Sequence, residues 1–521
     1  MSESRRRLRP YARTDVRAQT GAAAAAFDRR VIETIGVPQS VLMENAGRSA
    51  ALVLRRLFSP NRVVGLVGAG NNGGDALVTL RCLAAWGCDV TGVLVGDRAP
   101  EDSLLHGWPI RLLAADQLDD AGWTELLKSA DAAVDGVLGT GVRGAPRAPA
   151  ARAIDQLNRA GLPVLALDVP SGIDASTGAV PGAAVRAAAT VSFGAPKLGA
   201  LLHPARALVG RHIAVEIGFP PITPRDASAT VVTPGWARSR LPVRDSDTHK
   251  NRVGRVLLVG GGVGMAGAVI LAARSAFRAG AGLVRVCTVE ANREVVQAAL
   301  PEAIHISTEG TALEEAISAS DAVAVGPGMG LDHDAALLLQ RVVAAGESPL
   351  VLDADALTLA STGAIDLAAV SARRSVLITP HPGEMARLLG DAHTDDRLAA
   401  LQSAVERFGC TVLLKGAPSV VGARTDVLLV DTQSSSDLAV AGMGDTLTGV
   451  CTTMLALGIE PHTAGALGLY LSGRAAVVAD RGVGLTPSDV VEHIPDVLVE
   501  SGAEWTDLDL PFVLFDADPA R

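Results

Sequence analysis

The sequence is poor in lysine and cysteine and has no long apolar stretch. Its five cysteines form no C-x-x-C pair and lack metal-ligand spacing, so we expect small buried thiols in a reducing compartment. No run of about 18 uncharged apolar residues occurs, and a membrane span is therefore not expected. The arginines at positions 5–7 precede no apolar segment, which argues against a secretory signal. These absences predict a cytoplasmic protein without a membrane partner.

Positive charge is in deficit as well. The net charge of −10 leaves no broad basic surface to neutralise phosphates, so a nucleic-acid partner is not expected. With 48% apolar and 20% charged residues, the chain has the composition of a soluble protein with a packed core. Its 521 residues exceed the size of one ordinary domain.

Lysine is the rarest of the charged residues. The chain has 42 arginines and only four lysines, namely Lys128, Lys197, Lys250 and Lys415. Because arginine supplies most of the positive charge, a surviving lysine marks a position where a compact ammonium group on a flexible stem is wanted. Three of the four lie beside glycine, proline or histidine motifs.

Apolar strands alternate with helical segments in both halves. Strands are predicted at 63–68, 88–96, 132–139, 163–172 and 189–195, after a long helical stretch over 15–57. The second half predicts strands at 254–261, 282–289, 321–328, 349–357, 375–384 and 410–417. This alternation indicates βαβ units and parallel sheets. Ligands of such sheets bind outside the carboxyl ends of the strands, so we predict two α/β domains with one site each.

Proline marks the predicted boundary between the halves. Pro220, Pro221 and Pro224 indicate a linker at 221–225 between domains of residues 1–220 and 226–505. The last residues, 506–521, are acidic and irregular and are predicted to form a tail or an edge element.

A glycine-rich turn follows the first predicted strand. In "VVGLVGAGNNGGDALVTL" (63–80), Gly68, Gly70 and Gly73 match the G-x-G-x-x-G pattern of a dinucleotide-binding turn, and a second match occurs at 262–267. Such a turn also needs an acid at the end of the second strand, and Asp97 is poorly placed for it. A dehydrogenase is therefore a disfavoured alternative.

Polar residues gather at this turn and at three further strand ends. Asn71, Asn72 and Asp75 suit a cation, a hydroxylated ligand or a phosphate. The loop 139–144 after Asp135 could form an anion-binding nest of backbone N–H groups. The other two ends carry Asp168, Ser171 and Asp174, and then Lys197. Each could consist of ordinary turn residues, but four in order within one sheet favour a site.

These motifs resemble a known family. "LMENAG", "GAGNNGGDALV", "VDGVLGTGVRG", "LDVPSGIDASTG" and "PKLG" closely resemble the epimerase domain of the NAD(P)H-hydrate repair enzymes, over residues 10–220. The resemblance implies a Rossmann-like α/β sandwich with a potassium ion bound by Asn72, Asp135 and Ser171. It also implies that Asp168 lies at the reacting ring and is catalytic. The implied substrate-binding residues are Asn71, Asn72, Gly73, Gly74, Asp75, Gly139, Thr140, Gly141, Val142, Arg143, Gly144, Asp168 and Lys197.

The second half is similar to the partner enzyme. "VGGGVGMAGAV", "VGPGMG", "LDADAL", "TPHPGEMARLLG", "LLKGAPSVV" and "AGMGDTLTGV" resemble the ADP- or ATP-dependent NAD(P)H-hydrate dehydratases, which have a ribokinase-like fold. The implied substrate-binding residues are Gly267, Ala268, Gly328, Gly330, His381 and Asp445. The implied nucleotide-binding residues are Lys415, Gly416, Ala417, Ser419, Gly442, Met443 and Gly444. Glu384 is expected in the outer shell of a magnesium ion.

The segment "AGMGD" supports this interpretation on chemical grounds. The N–H groups of Gly442, Met443 and Gly444 at a helix N-terminus would form an anion hole for a migrating phosphoryl group. Asp445 is then placed to take a proton from a substrate hydroxyl, although an acid there could also be a helix cap. The chain departs from the family over 434–441, where Asp437 and Ala441 replace common glycines. That departure puts the rate or the nucleotide preference in question.

The resemblance predicts a bifunctional enzyme for which hydrated NADH or NADPH is the substrate and no hydride is transferred. One domain would interconvert the two epimers, and the other would phosphorylate the ring hydroxyl from ADP or ATP, with Mg²⁺, and eliminate phosphate. Expected partners are small-molecule nucleotides and further copies of the chain. Two alternatives remain, a ribokinase-like vitamin kinase and a non-catalytic scaffold role for the first half.

Overall fold

The computed structural model describes residues 8–98, 103–141, 143–243, 253–390, 396–433 and 435–520. These residues divide into two compact α/β units, as the alternation of strands and helices predicts. Of the described residues, the N-terminal unit contains those from Leu8 to Gly235 and resumes at Ala503, whereas the C-terminal unit contains Trp236–Gly502. Among the described helices, none has the length and apolar character needed to cross a bilayer.

The N-terminal unit is built on a sheet that is parallel over seven strands. The strands of this sheet are β1 (Tyr11–Ala12), β3 (Arg62–Gly68), β4 (Asp89–Val95), β5 (Arg111–Ala114), β6 (Ala132–Gly136), β7 (Val164–Leu167), β8 (Ala189–Phe193), β9 (Arg211–Val215) and β20 (Val513–Ala517). The unit also contains β2 (Arg17–Ala18) and β10 (Ala229–Val232), which pair with each other and are not part of this sheet. The parallel order is β5-β4-β3-β6-β7-β8-β9. Since β3 pairs with both β4 and β6, the order reverses at β3, which is where such sheets bind ligands.

Helices cover both faces of this sheet. They are α1 (Gly21–Arg29), α2 (Gln39–Phe58), α3 (Asn71–Ala85), α4 (Asp120–Lys128), α5 (Ala148–Ala160), α6 (Leu198–Leu201) and α7 (Arg206–Val209), with 3₁₀ turns at Ser103–Leu105 and Ala115–Gln117. Along β3, Val63 and Val67 pack with α2 and α3, while Val64 and Leu66 pack with α4 and α5. The alternation of side chains along a strand thus supplies two cores.

The predicted continuous helix over 15–57 is wrong. The stretch contains β2, α1, a π-helical turn (Arg30–Ile35) and α2. Gly36 adopts a φ of 85°, and Pro38 immediately precedes α2. A left-handed glycine and a proline both end helices, so the segment folds as two helices.

The domain boundaries also differ from the prediction. The N-terminal unit extends past the proline-rich stretch to Gly235, because β10 pairs antiparallel with β2. The final residues, predicted as a tail or edge element, return to the N-terminal unit, where β20 lies between β9 and β1 with antiparallel pairing to both. The acidic residues of this segment are explained by pairing, since Asp516 accepts bonds of 2.8 and 2.6 Å from Arg211.

The C-terminal unit repeats the parallel α/β pattern. Its strands are β11 (Arg255–Val259), β12 (Leu283–Thr288), β13 (Ile304–Ser307), β14 (Ala322–Val325), β15 (Leu350–Leu352), β16 (Val376–Ile378), β17 (Thr411–Leu414), β18 (Val420–Gly422) and β19 (Leu428–Asp431). They follow the order β13-β12-β11-β14-β15-β16-β17-β18-β19. Pairs along this order are parallel up to β17, and β18 and β19 follow, each antiparallel to the strand before it.

Its helices include two that are buried on nearly all sides, α17 and α18. The set is α8 (Pro234–Arg238, which contains the point of division), α9 (Ala266–Arg278), α10 (Arg293–Ala299), α11 (Ala312–Ser318), α12 (His333–Ala344), α13 (Asp355–Ser361), α14 (Leu367–Ser371), α15 (Pro382–Leu389), α16 (Arg397–Phe408), α17 (Met443–Ala456), α18 (Pro461–Ala479) and α19 (Pro487–Leu498), with 3₁₀ turns at Glu290–Asn292, Ser436–Leu438 and Gly482–Gly484. Helix α17 packs between α9 and α18. This packing fixes the N-terminus of α17 at the carboxyl edge of the sheet.

Candidate active sites

A cavity of about 1080 Å³ lies in the N-terminal unit where β3, β6 and β7 end. Of the predicted residues, those lining it are Asn71, Asn72, Asp75, Gly139, Thr140, Gly141, Arg143, Asp168 and Lys197. Gly73, Gly74 and Gly144 are not part of its lining, and Val142 lies outside the described residues. The structure therefore brings together side chains from all four strand ends that the sequence indicated.

Most glycines of this pattern are needed because the backbone of the turn packs closely against neighbouring backbone, and less because a ligand must come close. A Cβ on Gly73 would lie 1.9 Å from Gly68 O, and one on Gly68 would lie 1.9 Å from Val137 O. Gly74 has the side chain of Met43 against it. Only Gly70 of the pattern has open space where a Cβ would point. The match to a dinucleotide turn thus reflects how tightly α3 is packed on β3 and β6.

Asp168 and Lys197 form a shielded ion pair in the cavity wall. Lys197 Nζ donates to Asp168 Oδ1 at 2.5 Å and to the carbonyls of Phe193 and Ala195. Lys197 is 3% exposed. Asp168 adopts a φ of 63°, in the left-handed region that non-glycine residues rarely occupy. A strained carboxylate held by a buried ammonium is a typical feature of a functional site.

Two more carboxyl groups, Asp28 on α1 and Asp75 on α3, line the same cavity. Loss of water in the cleft raises the pKa of Asp28 to about 6, and the charges of Lys197 and Asp168 also act on it. Burial, together with the negative charges of Asp168 and Asp28, raises the pKa of Asp75 well above its ordinary value. Sequence reasoning missed Asp28, because it belongs to no motif and lies at the end of the alanine-rich helix α1.

Asn72, Asp135 and Ser171 meet below the loop 139–144. Ser171 donates to Asp135 from Oγ at 2.6 Å and from its backbone N–H at 2.8 Å. Asn72 Nδ2 donates to Leu138 O at 2.9 Å, and its Oδ1 is buried without a hydrogen-bond partner among the described residues. Burial raises the pKa of Asp135 to about 6, against the effect of the bonds from Ser171. The Oδ1 of Asn72 is therefore an oxygen of this cluster that no described residue satisfies.

The C-terminal unit has its own cluster at the ends of β15 and β17. Lys415 Nζ donates to Asp353 Oδ1 at 2.7 Å, and Thr448 Oγ1 donates to Asp353 Oδ2 at 2.7 Å. Burial alone would raise the pKa of Asp353, but the ammonium of Lys415 and these hydrogen bonds hold it below its ordinary value. Sequence reasoning missed Asp353, although it quoted the motif "LDADAL" that contains it.

The segment "AGMGD" lies at the start of α17. Gly442 adopts a φ of 92° and α17 begins at Met443, so backbone N–H groups face outward at a helix N-terminus. A Cβ on Gly444 would lie 3.2 Å from Lys415 Nζ, which places the ammonium directly below these groups. Such a convergence of N–H donors and an ammonium group is suited to a phosphoryl group.

Asp445 occupies the first turn of α17 without capping it. The N-cap residue is Gly442, which has no side chain to cap the helix, and Asp445 lies in the first turn, where the helix dipole also favours an acid. Burial and the negative charges of Asp353 and Asp355 raise the pKa of Asp445 to about 6, while Lys415 opposes them. A carboxylate with a pKa close to neutrality is suited to general-base chemistry.

His381 and Glu384 cap α15. His381 Nδ1 accepts from the backbone N–H of Gly383 at 3.0 Å and of Glu384 at 3.3 Å, while Glu384 Oε2 accepts from His381 N at 2.8 Å. This reciprocal bonding leaves Nε2 of His381 as the donor nitrogen. It also means that Glu384, 7% exposed, is occupied by a structural role.

The remaining predicted residues approach the same edge. A Cβ on Gly328 would lie 3.0 Å from Ala268 Cβ, and Gly267 borders open space. Gly330 N donates to Asp355 Oδ2 at 2.9 Å. The loop after β17 is closed by Ser419 Oγ, which donates to Gly416 O at 2.9 Å. Ala417 lies between these two residues.

Comparisons with known proteins match both halves. The family model described as NAD(P)H-hydrate dehydratase covers residues 256–496, and the model described as YjeF-related protein N-terminus covers residues 39–199. A protein of Moorella thermoacetica named bifunctional NAD(P)H-hydrate repair enzyme Nnr is 34% identical, over 92% of this chain and 96% of that protein. One of the same name from Salinibacter ruber is 35% identical, over 93% and 96%.

The chain belongs to the bifunctional NAD(P)H-hydrate repair enzymes. A solved structure titled ADP/ATP-dependent NAD(P)H-hydrate dehydratase from Bacillus subtilis, co-crystallised with ATP and Mg²⁺, is 28% identical; the match covers 51% of this chain and 96% of that chain, with a TM-score of 0.43.

Membership of the repair enzymes confirms the resemblance seen in the motifs of both halves. The departure over 434–441 lies just before α17, where Asp437 forms part of a 3₁₀ turn and Ser435 Oγ accepts from its backbone N–H at 3.2 Å. Ser434 lies outside the described residues. Another residue that the sequence did not single out, Arg397, donates to the carbonyls of Lys415 and Pro418 and so supports the loop after β17.

Proposed function

We propose that this chain repairs hydrated NADH and NADPH, with the N-terminal unit interconverting the two epimers and the C-terminal unit dehydrating the S form. The observation that carries this proposal is the presence of two independent sites in one chain. Each is built at the carboxyl ends of parallel strands, and each pairs a lysine with a buried or strained aspartate. The glycine-rich turn would thus hold a damaged dinucleotide as substrate, and no hydride transfer is required.

In the C-terminal unit, ADP or ATP would donate a phosphoryl group to the ring hydroxyl. Asp445 would take the hydroxyl proton, and the N–H groups of residues 442–444 would stabilise the charge in transit. Lys415, held by Asp353, would contact the phosphates of the nucleotide. Loss of the phosphate, with the proton from the neighbouring ring carbon, would then restore the double bond of NAD(P)H.

Magnesium would enter this site with the nucleotide. The described residues contain no cluster of three His, Cys, Asp or Glu side chains that could hold a metal, and Glu384 is engaged in capping α15. Mg²⁺ bound mainly by phosphates and water fits this donor set. When bound, it would neutralise developing phosphate charge, and Glu384 could reach it only through water.

In the N-terminal unit, potassium would occupy the cluster of Asn72, Asp135 and Ser171. The buried Oδ1 of Asn72 supports this proposal, because it lacks a partner among the described residues. Three hard oxygen donors with one carboxylate suit a monovalent ion and do not suit zinc. The ion would brace the loop 139–144, whose N–H groups would bind the substrate's phosphates, while Asp168 and Lys197 would lie at the reacting ring.

We further propose that the enzyme acts in the cytoplasm as a homo-oligomer. The decisive experiment incubates the full chain with a mixture of both epimers of hydrated NADH plus ADP or ATP, and follows the absorbance of the reduced nicotinamide. Complete recovery is expected, and the two nucleotides compared in parallel establish the donor. Recovery limited to one epimer would contradict the epimerase assignment, and no recovery would contradict the whole proposal.

A further inference from the structure

The cavity of the N-terminal unit contains two carboxyl groups that its ion pair does not use. Asp28 and Asp75 line the cavity with Asp168 and Lys197. Within the described residues, neither carboxyl group makes a hydrogen bond or an ion pair. The side chain of Asp28 is exposed and that of Asp75 is half-buried, and both face a ligand-sized cavity. Both carboxyl groups are therefore free to contact a bound ligand.

The position of Asp28 is fixed from both sides. Phe27, one residue before it, packs edge-on against Phe219 with ring centroids 5.3 Å apart. Arg30, two residues after it, forms an ion pair with Asp226 at 2.6 Å. These contacts anchor the end of α1, so the carboxyl group of Asp28 is presented to the cavity by a rigid element.

The surroundings of the two carboxyl groups raise both pKa values. Burial raises the pKa of Asp28 to about 6, while the charges of Lys197 and Arg29 oppose the shift and that of Asp168 adds to it. Burial and the charges of Asp168 and Asp28 raise the pKa of Asp75 well above its ordinary value, with Lys197 and Arg98 opposing. Carboxyl groups with raised pKa values in a substrate cavity can exchange protons with a ligand.

We propose that Asp28 is a further catalytic residue of the epimerase site, where it accepts the proton of the ring hydroxyl while Asp75 donates a proton to the ring nitrogen. This inference rests on the proposed epimerase activity and extends it. Asp168, already paired with Lys197, then serves to hold and orient the ring.

The step balances without any further reactant. The hydrated carbon carries both the hydroxyl and the ring nitrogen. Asp28 takes the hydroxyl proton, the carbon–oxygen bond becomes a carbonyl, and the carbon–nitrogen bond breaks with its electron pair passing to nitrogen. Asp75 protonates that nitrogen. After rotation of the carbonyl, nitrogen attacks its other face, returns its proton to Asp75, and the new hydroxyl takes back the proton from Asp28.

The test uses the full chain without ADP or ATP, supplied with one purified epimer, and follows its conversion to the other by chromatography. Asp28→Asn should lower kcat roughly 10²–10⁴-fold, the usual range for a general base, with KM changed less than about threefold. Asp28→Glu, which keeps the carboxyl group, should recover at least a tenth of the wild-type rate. Glu33→Gln removes a charge from the same cavity wall on the next turn and should stay close to wild type.

The possible outcomes distinguish a failure of this inference from a failure of the proposed epimerase activity. If the wild-type chain does not interconvert the epimers, the epimerase assignment fails. If it does, and Asp28→Asn retains more than a third of its rate, Asp28 is not catalytic. An equal loss in Glu33→Gln would also overturn the inference, because the effect would then be one of cavity charge. If circular dichroism shows that Asp28→Asn does not fold, the test depends on Asp28→Glu. A rate of Asp28→Glu below one hundredth of the wild-type rate would contradict the proposal.

Discussion

Lys415 Nζ lies 2.7 Å from Asp353 Oδ1 in the C-terminal unit, and Asp353 is 1% exposed. The second oxygen of the carboxylate accepts from Thr448 on α17, the helix that also carries Asp445. Asp353 therefore ties the end of β17 to the start of α17. This one carboxylate therefore fixes the distance between the ammonium of Lys415 and the N–H groups at the start of α17, which form the proposed phosphate site.

Replacing Asp353 should disturb the nucleotide site through Lys415. In Asp353→Asn the ammonium loses its buried counter-ion, and breaking such a pair costs about 3–5 kcal/mol. The carboxylate now raises the pKa of Lys415 against the effect of burial, so without it that pKa should fall. The KM for ADP or ATP should rise at least tenfold at pH 7, and it should rise further between pH 7 and 10, where the wild type stays flat.

A matched control exists at the opposite edge of the same sheet. Asp321 forms an ion pair with Arg255 at 2.6 Å, near the starts of β14 and β11. Asp321→Asn should leave the KM for the nucleotide unchanged. If both variants change it equally, or if Asp353→Asn keeps the wild-type pH profile, Asp353 does not position Lys415.

Asp445→Asn should abolish most of the dehydration. The variant keeps the N–H groups of α17, so nucleotide binding should persist while kcat falls roughly 10²–10⁴-fold. Because the pKa of Asp445 is raised to about 6 and the base must be ionised, wild-type kcat should decline as the pH falls through about 6. The small residual rate of Asp445→Asn should lack this decline.

The control for Asp445 is an aspartate that is purely a helix cap. Asp332 accepts from Ala335 N at 2.8 Å at the start of α12. Asp332→Asn should lower the melting temperature at most slightly and leave kcat intact. Near wild-type turnover in Asp445→Asn, measured by single-turnover absorbance recovery, would remove Asp445 from the mechanism.

Both sites were predictable from sequence where a motif ended a strand. The elements carrying Asp168, Lys197, Lys415 and Asp445 were placed correctly, because strand periodicity and glycine-rich turns are local signals. Asp28 and Asp353 were missed for a different reason. Asp353 is bonded to Lys415, 62 residues further along the chain, and Asp28 shares a cavity with Asp75 and Asp168 only in the folded unit. No local pattern reports such proximity.

The C-terminal segment was misjudged for the same physical reason. Strand β20 is short, and the segment 506–521 around it is rich in aspartate, which locally resembles a tail. In this strand, Asp516 is bonded to Arg211, some 305 residues earlier in the chain. Phe515 is buried and packs edge-on against the ring of His212. Pairing of that range is decided by tertiary contacts that sequence periodicity does not reveal.

Weakening β20 should therefore harm the N-terminal unit selectively. Phe515 is fully buried, and Phe515→Ala should cost about 3–5 kcal/mol in the unfolding of that unit. Epimerisation should be lost at a lower temperature, whereas dehydration of the S epimer should keep its wild-type thermal profile. Val499→Ala, at a position 79% exposed just before the segment, is the control and should change neither activity. Equal loss of both activities in Phe515→Ala would contradict the separate packing of the segment.

The same division predicts where the chain can be cut. Residues 236–502 contain strands β11 to β19 and the site at their carboxyl ends, so this fragment should dehydrate one epimer and leave the other to slow spontaneous conversion. A fragment of 226–521 would carry β20 without the sheet it belongs to and should be less soluble. A folded 236–502 fragment that consumes both epimers at equal rates would show that the division of labour is wrong.

The final prediction concerns the cation of the N-terminal unit. Asn72, Asp135 and Ser171 come from three strand ends, and the hydrogen bonds of Ser171 to Asp135 alone could tie the loops together. The unsatisfied Oδ1 of Asn72 favours an ion in addition. Epimerisation should accelerate when potassium replaces tetramethylammonium at constant ionic strength, and Asp135→Asn should remove the difference. Asp174→Asn is the matched control, since Asp174 only caps a nearby turn by accepting from Ser176 N at 2.8 Å, and it should keep the potassium response. If the rate of epimerisation does not depend on the cation, Asn72, Asp135 and Ser171 form a hydrogen-bonded cluster and not an ion site.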